Sequence, residues 1–148
     1  MIEPGEIAKG LRRGVTRMLM QQGFAALAEV SLANGRRADV MALGRDGEIR
    51  IVEIKSSLAD FRADHKWPEY RDFCDRLYFA VGEDFDHLLI PEDCGLIQAD
   101  PWNAAVLREA PHLPLVAARR KAVTLRFALV AAQRLDLLLD PEFFAEEF

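Results

Sequence analysis

Apolar residues recur at intervals of three and four along the first turns of the chain. Ile7, Leu11, Val15, Met18 and Leu19 make one stripe on a helix from about Gly5 to Gln22, most of its arginines lie off that stripe, and Gly23 stands where a left-handed residue ends a helix. The period then changes. FAALAEVSL, RADVMAL and EIRIVEI are short runs of alternating or β-branched apolar residues, separated by Asn34-Gly35 and by GRDG, and read as the strands of a meander. SSLADFRAD begins a helix, since Ser57 followed three residues later by Asp60 is an acidic form of the capping box. Pro68 suits a first helical position and starts a short helix after Trp67. RLYFAV and GLIQAD are further strands, and AAVLREA is a weaker one. A last helix, about Ala118 to Leu139, is apolar nearly all round and is expected to be well packed, with Pro141 closing it. No linker, repeat or composition shift divides residues 1–148. The order α-β-β-β-α-β, continued by more strand and helix, predicts one α/β domain with a central mixed sheet flanked by helices.

Composition narrows the classes. The chain has 148 residues, 51% of them hydrophobic and 29% charged, which is enough for a core of its own. Cys74 and Cys94 form no CxxC or zinc-type spacing and read as small buried thiols, so a reducing cytoplasm is expected. The opening MIEPGEIAKGLRRG lacks a basic stretch followed by an apolar block, and no run of about 18 apolar residues occurs, so neither secretion nor a membrane span is expected. A net charge of -5 disfavours indiscriminate coating of nucleic acid, which depends on neutralising phosphates. Arginines and a lysine cluster nonetheless at Arg12, Arg13 and Arg17, at Arg36 and Arg37, and at Arg119, Arg120 and Lys121. These are either local basic patches on an acidic body or ordinary solvated faces. His65, His87 and His112 have no ligand-like spacing, so zinc is not expected. No GxxxxGK[ST], GxGxxG or GxSxG occurs, which disfavours a nucleotide-driven motor, a dinucleotide enzyme and an α/β-hydrolase.

The chemistry concentrates in RRADVMALGRDGEIRIVEIKSS, residues 36–57, where Asp39, Glu53 and Lys55 interrupt runs otherwise suited to burial. Lone charges there cost several kcal/mol unless something pairs with them. Glu53 and Lys55 are two apart in a strand and share a face. A three-residue hairpin loop of Arg45, Asp46 and Gly47 would set Gly44 opposite Glu48 and Asp39 opposite Glu53, gathering two carboxylates and an ammonium at one spot. A two-residue loop would throw Asp39 to the other face. Paired carboxylates suit Mg²⁺ or Mn²⁺, which can polarise a phosphoryl oxygen and acidify a bound water while a lysine positions that water or stabilises charge on phosphorus. The competing reading is a plain salt bridge from Lys55 to Glu53 or Asp39 on a wet strand face.

The same stretch, extended by DFRADHKWPEYRDFCDRLYFAV, resembles the restriction-endonuclease-like core of the PD-(D/E)XK nuclease superfamily, and more closely the MmcB-like proteins described as DNA-repair factors. The match is specific over about Gly35 to Val81, with Ala38 standing where the superfamily name has proline. The resemblance implies a Mg²⁺-dependent nuclease acting on DNA in repair, with Asp39, Glu53 and Lys55 catalytic. It implies metal ligation by Asp39, Glu53 and the carbonyl of Ile54, with Glu29 as a further acid and Glu6 in reserve. Tyr70 falls where relatives carry the tyrosine of a Q-x-x-x-Y feature, here KWPEY without the glutamine. Arg36, Arg37, Arg62 and Lys66 are candidates for phosphate contacts, or are exposed charges; Trp67 either stacks on a base or packs beside Tyr70 and Phe73. His65 is near enough in sequence to act on a leaving group. Two other readings remain open: a nucleic-acid-binding relative that cleaves little, and an interaction module whose tail PEFFAEEF docks on a larger repair complex. Many relatives act as dimers, and the apolar last helix could supply that contact.

Overall fold

The computed structural model describes residues 3–143 and 146–148. Its first element, helix α1 (Pro4–Gln21), buries Leu11, Val15, Met18 and Leu19 and ends at Gly23, whose φ of +88° is the left-handed conformation glycine adopts without strain. Ile7, the first residue of the expected stripe, lies partly exposed at the helix start.

Strands β1 (Phe24–Ser31), β2 (Arg37–Gly44) and β3 (Ile49–Lys55) form the antiparallel meander. Between β2 and β3 the loop has three residues. The Gly47 N–H donates to the Gly44 carbonyl at 3.0 Å and the Gly44 N–H to the Glu48 carbonyl at 2.9 Å, with Gly47 left-handed at φ +88°. This turn sets the register, with Leu43 opposite Ile49, Met41 opposite Ile51 and Val40 opposite Val52.

Helix α2 (Leu58–Ala63) starts at the expected cap. Ser57 Oγ accepts from the Asp60 N–H, and the Asp60 carboxylate accepts from the N–H of Ser56, one residue earlier than the usual reciprocal bond. A 3₁₀ helix (Trp67–Phe73) follows. Strands β4 (Arg76–Val81) and β5 (Gly95–Ala99) then extend the sheet in parallel, and β6 (Ala104–Arg108) closes it antiparallel to β5. The sheet runs β1-β2-β3-β4-β5-β6, a mixed α/β architecture consistent with a restriction-endonuclease-like core.

The sheet separates two apolar layers. On one face Leu11, Val15 and Leu19 of α1 meet Val40, Val52, Tyr78 and Ile97. Gly14 brings α1 into backbone contact with the turn after β5: a Cβ there would meet the Asp100 carbonyl oxygen at 1.9 Å. On the other face Met41, Ile51 and Phe79 meet Tyr70, Phe73 and helix α3 (Ala117–Leu139). Asp75 links these parts. Buried to 1% exposure, its carboxylate accepts from the N–H groups of Ile49 and Leu115, both at 2.8 Å, and from the Arg120 guanidinium. Arg119 lies over the Phe73 ring. The cluster around residue 120 therefore contributes two arginines to tertiary contacts.

One expectation is corrected here. Helix α3 is not packed all round: Val123, Phe127 and Val130 are buried, while Leu125, Leu129, Leu135, Leu138 and Leu139 are exposed. A helix lying on one face of a sheet buries a single stripe, whatever its composition. The described part of the tail PEFFAEEF lies against α3, with Glu146 and Phe148 hydrogen-bonded to Gln133 and Glu147 paired with Arg134. Phe144 and Ala145 of that tail lie outside the described residues. Cys74 and Cys94 are free buried thiols, as expected, and no described helix is long and apolar enough to cross a membrane.

Candidate active site

The ladder between β2 and β3 pairs Val40 with Val52 and stops there. Beyond that point side chains take over the backbone groups. Asp39 Oδ2 accepts from the Ile54 N–H at 2.8 Å, and Glu53 Oε2 accepts from the Asp39 N–H at 2.9 Å. Within a strand the N–H and C=O of one residue point to the same edge, so the Ile54 carbonyl also faces the parting between the strands. On the other side of β2 the pairing with β1 passes over Glu29 and Asp39, and Glu29 has φ +51°, rare for a non-glycine residue. Arg134 of α3 donates to the carbonyls of Ala28 and Glu29 at this kink.

A cleft of about 640 Å³ opens over the parting. Asp39, Glu53, Ile54, Lys55, Glu29 and Tyr70 line it, together with Lys9 and Arg12 of α1 and Asp60, Asp64 and Lys66 of the following segment. The register expected from the hairpin loop thus brings Asp39, Glu53 and Lys55 to one cavity. Glu29 joins them, 3.9 Å from Arg12 and largely exposed. Glu6 lines a different cavity, with Gly82 and Glu83 at the end of β4.

Burial and mutual repulsion dominate the electrostatics. Glu53, 3% exposed, is pushed up to about 8, first by burial and then by the charge of Asp39. Burial likewise raises Asp39, against the hydrogen bond from Ile54 and the charge of Lys55. Lys55 bridges neither acid as the plain salt-bridge reading supposed. Its Nζ lies 2.6 Å from Asp64 Oδ2, a partner the pattern of strands gave no sign of because it lies beyond α2. Burial acts to raise Asp64, but the bond from Lys55 and the N–H groups of Lys66 and Trp67 hold it below the usual carboxylate range.

The flanking candidates divide. Tyr70 is buried, lines the cleft, and donates its hydroxyl to the Arg37 carbonyl at 3.1 Å. Lys66 is exposed at the rim. Arg36 is paired with Glu69, while the exposed Arg37, Arg62 and His65 lie outside the lining of the cleft. Trp67 packs edge-to-face on Phe79 with ring centroids 5.4 Å apart, so its ring serves the core.

The donor set fits a hard divalent cation: two carboxylates lining one cleft and a backbone carbonyl are oxygen ligands, and burial raises both acids despite the charge of Lys55. A stability test follows. Both acids have folded-state values above their unfolded ones, so each contributes stability at low pH that is lost as pH rises, and for Glu53 the loss runs from about pH 4.5 towards about 8. In chelator the melting temperature should therefore fall between pH 5 and 8, and the fall should be shallower in Glu53→Gln. Mg²⁺ at pH 8 should raise the wild-type midpoint and leave Glu53→Gln unmoved; an equal response in both would remove Glu53 as a ligand.

A family model described as DNA repair protein MmcB-like matches residues 3–142. The chain belongs to the MmcB-like family. Among solved structures, a protein of unknown function from Silicibacter pomeroyi, SPO1766, is 45% identical to this MmcB-like chain, with a TM-score of 0.90 over 97% of each chain. No curated protein matches it significantly.

Proposed function

We propose that this MmcB-like protein hydrolyses phosphodiester bonds of DNA in a Mg²⁺-dependent reaction, Mn²⁺ substituting. The observation that carries the reading is the parting of β2 from β3, where Asp39 and Glu53 each accept a hydrogen bond from the other strand's backbone and meet in one cleft. Those bonds hold both carboxylates in place before any ligand arrives. Asp39, Glu53 and the Ile54 carbonyl would hold the ion, which when bound would polarise a phosphoryl oxygen and lower the pKa of a water. Lys55, held by Asp64 on the same strand face as Glu53, offers a positive charge where negative charge builds on phosphorus. Glu29 offers a further carboxylate at the mouth, and Lys9, Arg12 and Lys66 offer cations to the flanking phosphates.

One observation favours the alternative of a non-catalytic DNA binder: the Lys55 ammonium is already engaged by Asp64. Incubation of wild type and Asp39→Ala with single-stranded, duplex, flapped and branched DNA in Mg²⁺ or Mn²⁺ separates the two. Cutting by wild type that vanishes in Asp39→Ala supports hydrolysis. Salt-sensitive binding without cutting, the same in both proteins, rejects it in favour of the binder.

A further inference from the structure

Outside the cleft, the most exposed aromatic ring beside a cluster of cations belongs to Trp102, which the sequence pattern did not single out. It lies in the turn between β5 and β6, 66% exposed. The guanidinium carbons of Arg13 and Arg17 stand 4.9 Å and 5.6 Å from its ring centroid. The turn is firmly built: Asp100 Oδ1 accepts from the N–H groups of Trp102 and Asn103 at 2.7 Å and 2.9 Å, the Asp100 N–H donates to the Asn103 carbonyl at 3.0 Å, and α1 abuts this backbone at Gly14. A single exposed apolar side chain is ordinary; what sets Trp102 apart is the pair of guanidinium groups held against its ring on a hydrogen-bonded turn.

Helix α1 connects this ring to the cleft. Lys9 and Arg12 line the cleft, and Arg13 and Arg17 flank Trp102. At 3.6 residues per turn these four side chains fall within an arc of roughly 140°, and the rise from residue 9 to residue 17 is about 12 Å. Glu6, at the first turn, is the acid on that arc among the described residues. The result is a basic strip, on a chain of net charge -5, with the carboxylate cleft at one end and an exposed π-face at the other.

We propose that this strip carries the phosphates of a single-stranded DNA segment and that Trp102 stacks on one of its unpaired bases. The inference rests on the reading of the protein as one that acts on DNA, and it narrows the substrate class to DNA with unpaired nucleotides beside the site. Phosphates match the arginines by charge. An aromatic face takes any base, but only a base out of the duplex stack offers its own face. Arg13 and Arg17 are placed to contribute both phosphate contacts and cation–π contact to the stacked pair.

The test measures binding of fluorescein-labelled oligothymidylate, and of a blunt duplex of the same length, in EDTA so that no cutting intervenes. The chain has two tryptophans, and Trp67 against Phe79 serves as the internal reference for quenching. Wild type should bind oligothymidylate with quenched tryptophan emission. Trp102→Ala should weaken that binding about tenfold or more and abolish the quenching, without changing duplex affinity. Trp102→Phe should recover most of the loss, and Arg13→Ala with Arg17→Ala should reduce the salt dependence of binding. Wild-type affinity for oligothymidylate in Trp102→Ala, an equal loss on duplex, or no binding by wild type overturns the proposal. Cutting that depends on Asp39 but ignores Trp102 would defeat this inference alone; stacking at Trp102 without cutting would support it and defeat only the nuclease reading.

Discussion

Exchanging Lys55 for methionine is expected to slow the proposed DNA cleavage about 10²–10³-fold, the usual loss when one preorganised electrostatic contact to developing charge is removed. The side chain is 7% exposed, so its charge acts where water screens little, and methionine fills nearly the same volume. Asp64 would lose its ion pair but keep the N–H donors of Lys66 and Trp67 at 2.8 Å and 3.2 Å, so its carboxylate is not left bare. A rival role for Lys55 is purely architectural, anchoring the segment after α2 to β3 through Asp64. The double variant Lys55→Met with Asp64→Asn separates the two. Removing both charges relieves any stability defect, so a recovered melting temperature with a rate still depressed assigns Lys55 to the chemistry. Single-turnover cleavage in saturating Mg²⁺ is the measurement, and a rate equal to wild type in Lys55→Met would take the lysine out of the mechanism.

Loss of the Asp75 carboxylate should be the most damaging change to the fold among the polar residues, costing about 3–5 kcal/mol in Asp75→Ala. Alanine would leave the Ile49 and Leu115 N–H groups without acceptors and Arg120 without its anion. Arg120→Ala should cost less, because the remaining carboxylate keeps two backbone donors. Burial acts to raise Asp75, but the bonds from Arg120, Ile49 and Leu115 outweigh it and hold the acid below its ordinary value. Its contribution is therefore present above the unfolded carboxylate pKa and is lost as pH falls through the folded one. Urea unfolding of both variants checks the ranking. A midpoint for Asp75→Ala close to wild type would mean that water takes the place of the carboxylate as acceptor for all three donors.

The cleft was legible where local rules act. Gly47 in a three-residue loop was sufficient to set the register that ends at Val40 opposite Val52 and brings Asp39 and Glu53 together just beyond it, and period-two spacing put Lys55 on the face of Glu53, because a hairpin turn and a strand pleat leave one register and one face. Less was visible of how charges are spent. Lys55 reads from spacing as a neighbour of two acids, yet it pairs with Asp64, nine residues on, because the chain after α2 folds back over β3. Arg120 reads as part of a basic cluster and is a fastening for Asp75, 45 residues away. Trp102 carried no periodic signal, since its setting depends on α1 lying against a turn 85 residues from Arg17.

Helix α3 shows the same division from the apolar side. Its leucine-rich composition promised a buried helix, and its start and stop were readable, but of its apolar residues only Val123, Phe127 and Val130 are buried. Period, turns and caps are short-range: they depend on φ and ψ preferences and on neighbours within a few residues, so the order of elements, the meander register and the meeting of Asp39 with Glu53 could be read from the chain. Which apolar face is covered and which cation meets which anion depend on segments distant in sequence, whose attraction is decided only when packing removes water between them. The sheet order, the Asp64 clasp on Lys55, the Asp75 hub and the exposed ring of Trp102 were settled at that stage.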